Sequence, residues 1–164
     1  MGAYLSNLGN CEEGKHVGAW FSLPIDPEDV AEKIGRQEEY AVHYYELPVE
    51  VGDNESIERL NRIYRLAEEL NGTPLYDEQS ELMASGYFDS LEDLIERQDD
   101  IRNWPECRDM SDVARRYVEE NYFDKIPEII KWCIDYERLG RAIASNGEFI
   151  VTKYGVLEIW CKEV

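Results

Sequence analysis

Positive charge is scarce in this chain. Its 164 residues include 36 Asp and Glu against 17 Lys and Arg, a formal net charge of -19 with a pI near 4.4. That imbalance excludes nucleic acid and anionic membrane as partners and points to a basic surface instead. Histidine is scarcer still: His16 and His43 stand apart, with no H-E-x-x-H pair, and neither G-x-S-x-G nor a phosphate-binding glycine loop occurs. Each histidine therefore reads as a strand residue. No catalytic, cofactor-binding or metal-binding set emerges, and the chain is not expected to be an enzyme. The four cysteines, Cys11, Cys107, Cys133 and Cys161, form no C-x-x-C pair and read as free thiols. No apolar run approaches the roughly 20 residues of a membrane span, and MGAYLSNLGN lacks the features of a signal peptide, so a cytoplasmic protein is expected.

What the chain does contain argues for a packed fold. Hydrophobic residues make up 43% and aromatics 12%, enough to build a core despite the charge. Self-repulsion among displayed carboxylates opposes folding, a penalty that solubility alone would not require.

The acids concentrate between Tyr76 and Ile101. Asp77, Glu78, Glu81, Asp89, Glu92, Asp93, Glu96, Asp99 and Asp100 share that stretch with a single base, Arg97. Asp89, Asp93, Glu96 and Asp100 follow at steps of four, three and four, which would line one helix face if a helix reached both ends. A step of four residues advances about 6 Å, comparable to the phosphate pitch along a nucleic-acid strand. The stretch is read as two short helices, near Tyr76 to Ser85 and Leu91 to Gln98, with Ser90 and Asp93 spaced as a capping box. The preceding helix, Ser56 to Leu70, is different. There Glu55, Glu58 and Arg65 stand four residues before Arg59, Arg62 and Glu69, so charges of both signs can pair locally.

The remaining elements suggest an α+β fold: an N-terminal small sheet plus helix, a middle helical bundle, and C-terminal helices plus a β-hairpin. Strands are predicted at Tyr4 to Leu8, Val17 to Leu23 and Ala41 to Leu47, the first two joined by a turn around Asn10 and Gly14. Asp26 and Pro27 should open a helix that stops at Gly35. Asn103-Trp104-Pro105 reads as a junction, Ser111 as a helix cap, and Glu148 to Thr152 with Val156 to Cys161 as a terminal hairpin. The expected domains are 1–55, 56–102 and 103–164, the last the dimerising one.

Charge by region supports that division of labour. Residues 1–45 carry eight acids and three bases, 46–137 carry twenty-five and ten, and 138–164 carry three and four. The nearly neutral C-terminal end is where two acidic copies can meet without severe repulsion. Asp109, Asp112, Glu119 and Glu120 extend the acidic set. Ile126, Ile129, Ile130, Cys133 and Ile134 repeat at helical spacing, suiting a core helix pair, an interface between copies, or both.

The ordered motifs resemble a known family. Tyr4-Leu5, Leu8, Gly14, Gly18 and Trp20-Phe21 are similar to the opening of the ArdA antirestriction proteins, and Tyr45-Glu46 fits that family's D-Y-E element. Tyr122, Phe123, Ile126, Pro127, Ile130, Cys133, Ile134, Tyr136, Glu137 and Arg141 span its antirestriction motif, and Phe149-Ile150 with Gly155 to Ile159 fit its end. Cys11 and Tyr44 depart from it, standing where relatives often place Tyr and Asp. The resemblance implies an elongated, three-part homodimer, encoded on mobile genetic elements, that mimics B-form DNA. Its partner would be the DNA-binding groove of a type I restriction-modification enzyme. An acidic adaptor or chaperone-like module for other basic DNA-binding proteins uses the same physics and is the alternative.

Overall fold

The structure, a computed structural model, describes residues 1–8, 17–35 and 40–160. The expected turn around Asn10 and Gly14, together with Cys11, His16 and Cys161, lies outside them. The chain is α+β and gathers into two compact units, residues 1–95 and 96–164. The boundary expected near residue 55 falls inside the first.

In the first unit, β1 (Gly2–Asn7) is the central strand of an antiparallel sheet, flanked by β2 (Gly18–Ser22) and β3 (Tyr40–Glu46). Alternation decides its faces: Ala3 and Leu5 point inward with Phe21 and Val42, while Tyr4 and Trp20 point outward. Helix α1 (Pro27–Ile34) starts where Asp26 accepts from the Glu28 backbone N–H, with proline in the first turn, and ends at Gly35, whose φ of 90° suits glycine. It buries Val30 and Ile34 in the same core.

Helix α2 (Ile57–Glu69) is capped by Ser56, whose hydroxyl accepts from the Arg59 backbone N–H. Its Leu60 is fully buried in the sheet's core, which is why the sheet and this helix form one unit. Each such leucine contributes about 1.5–3 kcal/mol by leaving water. Asn61 adds a polar tie, donating to the Ile25 carbonyl and accepting from its N–H. A 3-10 turn (Tyr76–Glu78) leads into α3 (Gln79–Ala84), and α4 (Leu91–Glu96) follows, burying Leu82, Leu91 and Leu94.

The second unit holds an antiparallel sheet in the order β4-β6-β5. Strand β4 (Ile101–Pro105) occupies the stretch read from sequence as a junction; it pairs with β6 (Gly155–Ile159), which also pairs with β5 (Glu148–Val151) in the expected hairpin. Helix α5 (Met110–Tyr122) is capped by Asp109, not Ser111. One Asp109 oxygen accepts from the backbone N–H groups of Ser111 and Asp112 and from the Ser111 hydroxyl, so the serine serves the cap instead of being it. Short α6 (Glu128–Lys131) and α7 (Tyr136–Ala144) complete the unit. Gly140 lets α7 approach the start of α5: a Cβ there would stand 2.4 Å from the Met110 carbonyl oxygen.

Candidate acidic interface

The acidic stretch folds as separate short elements. Helix α4 ends at Glu96, and Asp99 and Asp100 lie in a 3-10 turn (Gln98–Asp100) before β4. Of the four residues spaced for one helix face, only Asp93 and Glu96 are on the helix, since Asp89 precedes it and Asp100 follows. The Ser90 half of the expected capping box forms, the Asp93 N–H donating to Ser90 Oγ at 3.2 Å, while the Asp93 carboxylate accepts from the N–H of Asp89, one residue before the cap, at 3.1 Å. Asp93 thus anchors the helix start as well as carrying charge.

Burial removes one member of the sequence set. Glu78 is 1% exposed and presents no charge to solvent. The pattern gave little warning, because a carboxylate between Asp77 and Gln79 has no apolar periodicity to betray an inward direction. Tyr76 beside it donates its hydroxyl to Glu68 at 2.5 Å, and that bond to a carboxylate, with burial adding to it, pushes the phenol up to about 12.

Bases reach the acidic stretch from outside it. Arg62 of α2 donates to Glu92 at 2.8 Å, leaving Glu58, its expected neighbour four residues back, while Arg59 does pair with Glu55 at 3.3 Å. Arg59, Arg62 and Arg65 line a hollow of about 690 Å³ together with Glu58, Asp89 and Glu92, a mixed-charge surface. In the second unit Arg102 bonds Glu120 at 2.9 Å, and Asp112 accepts from the Arg108 N–H while its guanidinium stands 3.6 Å away. The bonds from Ser111, followed by those from the two backbone N–H groups, hold Asp109 below the usual carboxylate range.

Of the carboxylates expected from sequence to face a partner, those left exposed or half-buried with neither a Lys or Arg ion pair among the described residues nor a helix cap to serve form a shorter set. It comprises Asp77, Glu81 and Asp89 in the first unit, and Glu96, Asp99 and Glu119 in the second. Such groups keep their full charge for an incoming cation, whereas a carboxylate already holding a guanidinium must first give it up.

The antirestriction-motif stretch is not one helix. After the 3-10 turn Phe123–Lys125, Pro127 begins α6, and Asp135, accepting from the Arg138 N–H at 3.0 Å, starts α7 afresh. Its apolar residues lie largely outside a core: Tyr122, Phe123, Ile129, Ile130 and Trp132 are exposed, Trp132 by 82%, and Cys133, Pro127, Glu137 and Arg141 are exposed too. Ile126, Ile134 and Tyr136 are half-buried. Tyr117, Tyr122, Ile126, Pro127, Ile130 and Ile134 line an apolar groove of about 480 Å³. Trp132, the most exposed large apolar side chain among the described residues, was absent from the expected interface because it falls between the repeating isoleucines.

Among the described residues no group of His, Cys, Asp and Glu could hold a metal, and no helix is long and apolar enough to cross a membrane. A comparison with curated proteins finds no match. A family model described as antirestriction protein (ArdA) matches residues 3–158, nearly the whole chain, and the chain belongs to that family.

Proposed function

We propose that this antirestriction protein acts as a DNA mimic, occupying the DNA-binding groove of a type I restriction-modification enzyme and excluding DNA by competition. The observation that carries the reading is a set of carboxylates that form no ion pair with a Lys or Arg among the described residues: Asp77, Glu81, Asp89, Glu96, Asp99 and Glu119. A groove lined by Lys and Arg is attracted by each carboxylate standing where a phosphate would, and the net charge of -19 steers the encounter. Asp93, Asp109, Asp112, Glu92 and Glu120 support the field while also serving caps or ion pairs, and Asp100 adds to it. Carboxylates titrate and carry no condensed counterion atmosphere, so binding weakens with salt as DNA binding does, with a different slope.

The exposed apolar motif fits a second role within the same reading. Ile129, Ile130 and Trp132, flanked by the groove beneath Tyr122 and Pro127, form the surface through which two copies pair, where Lys125 and Lys131 balance the neighbouring Asp124 and Glu128. The protein then works in the cytoplasm, where incoming DNA of a mobile element meets the restriction enzyme. Titration of such an enzyme, bound to labelled duplex, with the protein is the test. Release of duplex at stoichiometric protein supports the reading, and retention of duplex at large excess sinks it.

A further inference from the structure

Three aromatic rings lie side by side on the outer face of the first unit's sheet. The register sets Trp20 of β2, Tyr4 of β1 and Tyr44 of β3 in one row across the strands, opposite the face that carries Ala3 and Leu5 into the core. Two glycines flatten the row. A Cβ on Gly18 would fall 2.6 Å from the Tyr4 hydroxyl, and one on Gly2 would fall 2.5 Å from Trp20 Nε1. The Tyr4 and Trp20 rings therefore lie across bare backbone of the neighbouring strand. Tyr44 meets Tyr4 edge-on, with centroids 6.2 Å apart and planes at 68°. Rings held in this way lose little further freedom on binding, yet Trp20 is 43% exposed and Tyr44 70%.

Charge selects what can stack there. Elsewhere the protein covers its rings with its own cations: Lys33 over Phe21, Arg102 over Trp104, Arg115 over Tyr136 and Lys131 over Phe123. Among the described residues no Lys or Arg lies over Tyr4, Trp20 or Tyr44. Glu46 closes the same face of the sheet, paired in register with Gly2. Nucleic-acid bases stack on rows of this kind, but a chain of net charge -19 repels their phosphates. Guanidinium groups stack equally well and are drawn in by the same field.

We propose that the Trp20, Tyr4 and Tyr44 row is a docking platform for arginine side chains of a basic protein surface. The inference deepens the DNA-mimic reading and rests on its partner class. It adds a contact that phosphates of duplex DNA do not make, and because ring stacking is screened less than charge pairing, it leaves part of the affinity resistant to salt.

The test uses the whole chain with oligo-arginine and oligo-lysine peptides of equal length, following the Trp20 indole N–H by nuclear magnetic resonance, with Trp20→Phe as its assignment. The platform predicts that oligo-arginine shifts the Trp20 signal and binds on the order of threefold more tightly than oligo-lysine. Tyr44→Ala, at a side chain too exposed to endanger folding, should bring the two peptides to equal affinity, while Asp77→Asn weakens both alike. Equal affinities for the unaltered chain would overturn the proposal. So would a Trp20 signal that moves with oligo-thymidine but not with arginine, or a Tyr44→Ala change that alters only sedimentation of the free protein, which would make the face a contact between copies. The peptides involve no restriction enzyme, so a chain that prefers arginine but fails to displace DNA refutes the functional reading and leaves the platform standing.

Discussion

Arg62 Nη2 lies 2.8 Å from Glu92 Oε1, joining α2 to the start of α4 across thirty residues of sequence. Both side chains are substantially exposed, 68% and 42%, so solvent screens the pair and its contribution to stability is at most about 1 kcal/mol. On the proposed DNA-mimic reading its functional sign is the opposite of its structural one, because the arginine occupies a carboxylate that would otherwise face the partner. Arg62→Gln should leave the urea midpoint nearly unchanged and modestly strengthen displacement of duplex DNA; weakened displacement would show that Glu92 contributes only when paired.

Self-repulsion should make stability depend on salt. With net charge -19, the melting temperature should rise from low to moderate ionic strength as screening spreads through a Debye length of about 10 Å at 0.1 M. A melting temperature that is flat or falls over that range, in thermal scans followed by circular dichroism, would contradict a repulsive carboxylate surface.

Ile130 and the carboxylates should respond differently to single changes. Ile130 is half exposed, so Ile130→Asp should fold normally and weaken self-association in sedimentation experiments. Neutralising Asp99 or Glu119 alone should change inhibition by less than about threefold, because a distributed field loses only one of many terms. Abolition of inhibition by one such change would replace the distributed picture with a specific contact.

The Asp109 cap should show its pKa in stability. Its folded value is lowered from 3.8, first by the Ser111 hydroxyl bond and then by two backbone N–H bonds. The stabilisation is therefore present above the unfolded value and is lost as pH falls from about 4 through the depressed folded value. Asp109→Ala should lower the melting temperature at neutral pH, with the difference from the unaltered protein shrinking as acid protonates the folded carboxylate. A difference independent of pH would assign the effect to something other than the ionised cap.

Leu60 tests whether α2 belongs with the N-terminal sheet. It is fully buried in that core, so Leu60→Ala should cost about 2–5 kcal/mol in chemical denaturation and loosen the sheet along with the helix. Loss confined to α2 signals in hydrogen exchange would separate the two.

Several features were legible because neighbours in sequence decide them. Asp26 with Pro27 and Ser90 with Asp93 are local bonds between a side chain and a backbone N–H two or three residues on, and both formed. The alternation of β2 and the terminal hairpin were equally local. The antirestriction-motif stretch, read as a helix pair, does divide into two helices at Pro127 and Asp135, but the isoleucine spacing could not say which side chains would be covered, because periodicity sets a face and not what packs on it. Choosing Ser111 over Asp109 was a contest between two good caps; a carboxylate oxygen accepts two backbone donors and the serine hydroxyl together.

By itself, the sequence determined the sign and size of the charge, the α+β class and the family, since composition and ordered motifs need no coordinates. Only the tertiary structure decided which carboxylates are left for a partner. It buried Glu78, brought Arg62 to Glu92 and Arg102 to Glu120, turned Ile129 and Ile130 toward solvent, and laid Trp20 and Tyr4 over Gly2 and Gly18. Charge follows from counting residues, but its availability follows from which residues far apart in the chain come within hydrogen-bonding distance, and no spacing rule carries that.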